Sequence, residues 1–359
     1  MLHAMIMAGG GGTRFWPRSR MARPKQFLAF AGDRTLLQGT LDRIEAQVPG
    51  ERCWVITSAM HRDEALQQLP DMPANRIVGE PAGRDTAACI GLGAALIAKQ
   101  DPDATMIVMP ADHAIEPAQE FRRAVHAAAQ LCDEFPDVLI TFGIRPTEPA
   151  TGYGYIQRGE FVAQRQGVNA SRVQAFREKP SREVAEKYLA CGEYDWNSGI
   201  FVWKARTILA ELSLLKPDIH AAVQRIADAW DTPQRDSVFR EEYGNVEKIS
   251  IDFAVMEKAE HVLVVQAPYH WDDVGSWLAL ERRNPQDANG NTIQAMHVGI
   301  NTSGCVISAD AGRLIATIGV SNLLIIQDGD ATLVADRRDE GAVKEIVARL
   351  KTPALEKYL

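Results

Sequence analysis

The chain is poor in the features that staple or anchor a protein. Its five cysteines, Cys53, Cys89, Cys132, Cys191 and Cys305, are odd in number, far apart and never in a C-x-x-C pair. That disfavours a disulfide framework and a zinc site and suits a reducing cytosol. No window approaches the roughly twenty apolar residues of a membrane span. The apolar start, Met1 to Ala8, is too short for a signal core, lacks a basic leader and runs straight into glycines; it reads as a buried strand. Nor is there a cationic excess, since the formal net charge of -8 argues against a nucleic-acid-binding surface. A soluble, cytoplasmic protein with neither nucleic acid nor membrane as partner is expected. Two common phosphate-loop patterns are missing as well: no Lys-Ser/Thr follows the last glycine of the N-terminal run, and Phe15 stands where G-x-G-x-x-G needs its final glycine.

What is present is length enough, at 359 residues, to bury a sizeable core. The first half alternates short β-branched runs with longer helical stretches, which predicts an α/β fold with a mostly parallel sheet flanked by helices. Strands are expected at 2–8, 53–57, 76–78, 105–109 and 138–142, and helices at 36–48, 63–69, 86–99 and 118–132, the third rich in Ala and Gly and so able to approach the sheet closely. After Gly143 the pattern loosens, with strands near 153–158, 173–178 and 199–203, then a helix at 249–258 and a strand at 262–266. From about Asn291 only short β-prone runs appear, closed by a helix at 342–350. The expected division is a large domain over 1–284, in two halves of about 1–143 and 144–284, and a small β-rich, β-helix-like domain over 285–359.

The chemistry gathers after the first strand. Glycines at Gly9, Gly10, Gly11 and Gly12 let backbone N–H groups turn toward an anion. In an acidic protein, Arg14, Arg18, Arg20, Arg23 and Lys25 crowd into that one loop, which suggests a small polyanionic ligand. Arg18, Arg20 and Arg23, taken singly, read as solvated loop charge. The apolar run 105–109 ends at Asp112, where open α/β sheets place ligand residues, so Asp112 is a candidate metal ligand. Magnesium takes one or two protein carboxylates, so a second is expected, and Trp271-Asp272-Asp273-Val274-Gly275 supplies two candidates. Asp85 or Thr86 reads as the cap of the helix that follows.

The run Gly9-Gly10-Gly11-Gly12-Thr13-Arg14-Phe15-Trp16-Pro17-Arg18-Ser19-Arg20, ending in Pro24-Lys25-Gln26-Phe27, resembles the sugar nucleotidyltransferases, and specifically the mannose-1-phosphate guanylyltransferase family. The resemblance implies that Arg14 and Lys25 neutralise a pyrophosphate leaving group, that Ala8, Gly9 to Gly12 and Thr13 wrap the nucleotide, and that Asp112 and Asp273 bind Mg²⁺. Glu80, Arg84, Asp85 and Thr86 resemble the family's second nucleotide element. Tyr153, Gly154, Glu178, Lys179 and Asn197 fall in motifs that imply contacts with the sugar phosphate. GTP and mannose 1-phosphate are then the implied substrates and Mg²⁺ the implied cofactor, with no covalent intermediate. A homodimer is left open, and so are another sugar and base, such as glucose 1-phosphate with UTP or dTTP, and a non-catalytic sugar-nucleotide-binding subunit.

Overall fold

The computed structural model describes residues 1–30 and 32–359. Two compact units are built from interleaved stretches of chain: Met1–Gly9, Thr40–Ala111 and Ile115–Trp271 in one, Gly10–Gly39, Asp112–Ala114 and Asp272–Leu359 in the other.

The first unit holds a nine-stranded sheet. In chain order its strands are β1 (Leu2–Ala8), β2 (Cys53–Ser58), β3 (Ile77–Glu80), β4 (Thr105–Pro110), then, after the short β5 (Ala114–Glu116) outside this sheet, β6 (Leu139–Ile144), β7 (Tyr155–Arg165), β8 (Val168–Arg177), β9 (Tyr194–Lys204) and β10 (Val262–Gln266). Their spatial order is β3-β2-β1-β4-β9-β6-β10-β8-β7. Strands β3, β2, β1 and β4 run parallel, as do β6 and β10, whereas β9 inserts antiparallel to both β4 and β6. The strand order reverses at β1, whose partners are β2 on one side and β4 on the other. In open α/β sheets that reversal is where ligands bind, beyond the carboxyl ends of the strands. The glycine loop leaves β1 there, and Asp112 follows β4 by two residues.

Helices α1 (Leu36–Ile44), α2 (Arg62–Gln68), α3 (Asp85–Gln100) and α4 (Ala118–Glu134) end within about four residues of their expected bounds. Helix α3 does lie close to the sheet: a Cβ on Gly93 would run into Met5 Sδ on β1. The loosely patterned middle contains α5 (Arg182–Cys191), α6 (Ala205–Leu215), α7 (Pro217–Ala229) and α8 (Arg235–Asn245). Ile208, Leu212, Val223 and Tyr243 from these helices join Leu92 and Leu96 of α3 in the main core. The helix expected at 249–258 is instead a single π-helical turn, Asp252–Met256. Of the two capping candidates for α3, Asp85 sits at φ +65° with its carboxylate accepting the first-turn N–H of Thr86 at 2.8 Å, whereas the Thr86 hydroxyl accepts from the Ile251 N–H at 2.8 Å.

In the second unit the C-terminal strands β12 (Thr292–Gln294), β14 (Val306–Ser308), β16 (Leu323–Asp328) and β17 (Ala331–Asp336) form one sheet, β13 (Met296–Ile300) and β15 (Leu314–Ile318) a parallel pair, after β11 (His270–Asp272) and α9 (Ala279–Arg283). Successive parallel ladders, β12 on β14 on β16 and β13 on β15, give it the coiled β-rich character expected. The closing helix is α10 (Val343–Arg349). Leu324 and Ile326 are buried in this unit against Val343 and Val347.

Candidate active site

The loop after β1 is held in shape from beneath. Phe15 packs edge-on to Phe30 and Trp277, with ring centroids 4.5 and 5.2 Å away. The Trp277 indole N–H donates to the Trp16 carbonyl at 3.1 Å, and the Trp16 indole to that of Tyr358 at 2.8 Å. The run of glycines has one strict requirement: Gly12 adopts φ +51°, and a Cβ there would lie 2.5 Å from the Lys25 backbone nitrogen. The two ends of the loop therefore meet at a point that only glycine allows. Arg18 and Arg20 are not solvated loop charges. The former donates to Ser308 Oγ at 2.9 Å and lies 3.6 Å from Asp328, while the latter bonds the Pro17 carbonyl at 2.6 Å and Asp330 at 3.1 Å. These cations tie the loop to the C-terminal strands.

Arg14 and Lys25 belong to a different group of residues. With Gly12, Thr13, Phe15, Asp112, His113, Asp273 and Gly275 they line an open cleft of about 280 Å³. The Lys25 ammonium, on a side chain 8% exposed, donates to Asp112 Oδ2 at 2.9 Å and to the Asp273 carbonyl at 2.5 Å. Burial acts to raise the Asp112 carboxyl, but Lys25 and then His113 outweigh it and hold that group below the ordinary carboxylate range. Asp272 is a tether: it accepts from the Val274 N–H at 2.7 Å and takes both Arg282 nitrogens at 2.6 and 2.8 Å. Asp112 and Asp273 both line this cleft, and two carboxylates are a hard-oxygen donor set that suits Mg²⁺, which demands few protein ligands. No larger cluster of His, Cys, Asp and Glu is present among the described residues.

Around β3 and α3, in the other unit, Ala8 closes β1 with its carbonyl accepting from Thr57 Oγ1 at 2.8 Å. A Cβ on Gly9 would come 4.0 Å from Glu80 Oε2. The Glu80 carboxyl accepts from the Tyr243 hydroxyl, and Arg84 donates to the backbone carbonyls of Tyr243 and Gly244. Burial lifts Glu80 to about 6 against the opposing pull of Tyr243.

The expected sugar residues converge within the same unit. Asn197 N–H donates to the Gly154 carbonyl at 2.8 Å, and a Cβ on Gly154 would collide with Glu178 Oε2 at 2.5 Å. Lys179, at φ +46°, pairs with Glu178. Tyr153 stacks edge-on against Trp196 and Trp271, at 4.9 and 5.2 Å. The sequence reading missed two neighbours. Asp252 accepts from Asn197 Nδ2 at 2.9 Å, and Tyr243 anchors Glu80. Asp252 sits in a segment that reads as helix, where a lone Asp gives no signal, and Tyr243 in a stretch to which the sequence assigned no element.

A sheet reversing at β1, a glycine- and cation-rich loop leaving that strand and a carboxylate following β4 define a phosphate-handling nucleotide-binding class. A family model described as "Nucleotidyl transferase" matches residues 3–290, and one described as "MannoseP isomerase/GMP-like beta-helix domain" matches 295–350. A mannose-1-phosphate guanylyltransferase of Klebsiella pneumoniae is 41% identical over 363 residues, covering 100% of this chain and 76% of that protein. The xanthan biosynthesis protein XanB of Xanthomonas campestris is 39% identical over 97% of this chain and 73% of its own length. The crystal structure of a protein from Thermus thermophilus, described as a mannose-1-phosphate geranyltransferase, superposes with a TM-score of 0.86 at 36% identity, covering 98% of this chain and 99% of that one. The chain belongs to the nucleotidyl transferase family and, within it, to the mannose-1-phosphate guanylyltransferases. Among the described residues no helix is long and apolar enough to cross a membrane.

Proposed function

We propose that this chain transfers GMP from GTP to α-D-mannose 1-phosphate, giving GDP-mannose and pyrophosphate by direct in-line displacement. The observation that carries the reading is Lys25, brought by the glycine loop onto both Asp112 and the Asp273 backbone in one cleft. The sugar phosphate is already ionised, so its oxygen attacks the α-phosphorus without a protein base, and charge develops on the departing pyrophosphate. Arg14, Lys25 and the loop N–H groups of Gly9 to Thr13 stabilise that charge; fixed donors of this kind are the main catalytic resource for such a step. Asp112 and Asp273 would hold Mg²⁺, which when bound supplies further neutralisation of the triphosphate. Glu80, held by Tyr243, offers an acceptor to the N1–H and N2–H edge that distinguishes guanine from the pyrimidines, with Arg84, Asp85 and Thr86 completing the nucleotide element. Tyr153, Gly154, Glu178 and Lys179 take the sugar phosphate, with Asn197 part of the same cluster.

Pyrophosphate release measured over a matrix of sugar 1-phosphates and nucleoside triphosphates, with and without Mg²⁺, tests this. Fastest turnover is expected for mannose 1-phosphate with GTP, lost on chelation. Equal or faster turnover of glucose 1-phosphate with UTP or dTTP would overturn it.

A further inference from the structure

Asn197 has little hydrogen-bonding capacity left for a substrate. Its carbonyl oxygen accepts from the Thr141 hydroxyl at 3.0 Å and from the Gly199 N–H at 3.1 Å, which together fix the amide orientation and aim Nδ2 at Asp252 Oδ1, 2.9 Å away. An amide has two acceptor sites and two donors, so three of four are spent inside the protein. What the amide holds in place is a carboxyl group. Asp252 opens the π-helical turn, a rare form that recurs at functional sites. The segment before it is anchored to α3, with Ile251 N–H on Thr86 Oγ1 at 2.8 Å and Ile249 O accepting from Ala87 N–H at 3.1 Å. Glu257, at the other end of the same turn, accepts from the Glu178 N–H at 3.3 Å. Both ends of the turn are thus pinned around the Glu178 and Asn197 positions.

We propose that Asp252 reads the sugar hydroxyls of the sugar 1-phosphate together with Glu178, and that Asn197 is a positioning residue acting through Asp252. This rests on the sugar-side reading given above. Glu178 and Asp252 face each other electrostatically: burial first, then the Glu178 charge, pushes the Asp252 carboxyl up to about 7, against the Asn197 bond and the Lys179 charge. With its carboxyl pushed up toward neutrality, Asp252 can offer a polyol a donor as well as an acceptor, which an ionised carboxylate cannot do. Gly154 leaves room for the arrangement, because any side chain there would displace the Glu178 carboxylate.

The test is steady-state pyrophosphate release by the wild type, Asp252→Ala, Asp252→Asn, Asn197→Ala and the double variant Asn197→Ala/Asp252→Ala, with each substrate varied in turn. Asp252→Ala should raise KM for mannose 1-phosphate about tenfold or more while KM for GTP stays within about twofold, the scale expected when a buried polar contact to a substrate is lost. Asp252→Asn keeps a donor and an acceptor within reach of Asn197 and should recover most of that loss. The double variant should be no worse than Asp252→Ala, since a residue acting through another adds nothing once the second is gone. An unchanged sugar KM in Asp252→Ala, a GTP KM rising in step with it, or additive losses in the double variant would overturn the proposal. A wild type inactive on every sugar and nucleotide pair would instead overturn the functional reading beneath it.

Discussion

The phosphate-side cleft and the sugar-side cluster both use carboxylates, and they hold them in opposite states. At the first, a buried lysine and a histidine keep Asp112 below its ordinary range. At the second, burial and a like charge push Asp252 up to about 7. Transfer between phosphates is governed by charge, whereas recognition of a polyol is governed by hydrogen-bond direction. One side chain type can suit either task because its surroundings decide how readily it gives up its proton.

The largest expected effect lies on the charge side. Asp112→Ala and Asp273→Ala should each lower kcat by about a thousandfold or more, and Lys25→Ala by about a hundredfold, the range seen when fixed charge stabilisation is removed. Thermal unfolding of the same variants should show an intact fold. Turnover within a factor of ten of wild type in either aspartate variant would collapse the contrast between the two regions.

A smaller effect separates the two carboxylate states by stability. The Asp252 carboxyl has a folded-state pKa raised above its unfolded value, so the native state binds the extra proton and loses stability as pH rises from about 4 to about 7. Asp252→Asn removes that titration, and its stability relative to wild type should grow across the same window by about 2 to 4 kcal/mol. The groups facing this carboxyl are Glu178, Lys179 and Asn197. Chemical denaturation at pH 4, 6 and 8 would measure it; a difference independent of pH would remove the distinction. Asp112 carries the opposite sign: its depressed pKa gives stability that is present above the ordinary carboxylate range and is lost on acidification.

The smallest effect concerns the struts. Arg18→Ala, which removes contacts to Ser308 and Asp328 at the loop's margin, should cost about 0.5 to 1 kcal/mol of stability. The KM for mannose 1-phosphate should not move. A large rise in that KM would show that the loop's outer cations bind ligand after all.

Much of the parallel half of the sheet was legible because each strand is a short apolar run between helical stretches. β1 and β10 occupy the expected residues, and the other strands of that half differ by one or two residues at their ends. The antiparallel insertion of β9 was not legible, since no local pattern tells a strand which neighbours it will have. Arg18 and Arg20 read as solvent-facing because sequence shows the charge and hides the acceptors, Ser308, Asp328 and Asp330, that lie about three hundred residues away.

Sequence by itself determined the loop and its chemistry. Only glycine at Gly12 lets the chain pass the Lys25 backbone, and the lysine and the aspartates at Asp112 and Asp273 are present whatever the packing. Tertiary structure alone decided that the Asp112 carboxyl is shifted down and the Asp252 carboxyl up. That choice depends on desolvation and on neighbours such as Glu178 and Asn197, which lie 74 and 55 residues from Asp252 along the chain and meet it only when the sheet is built.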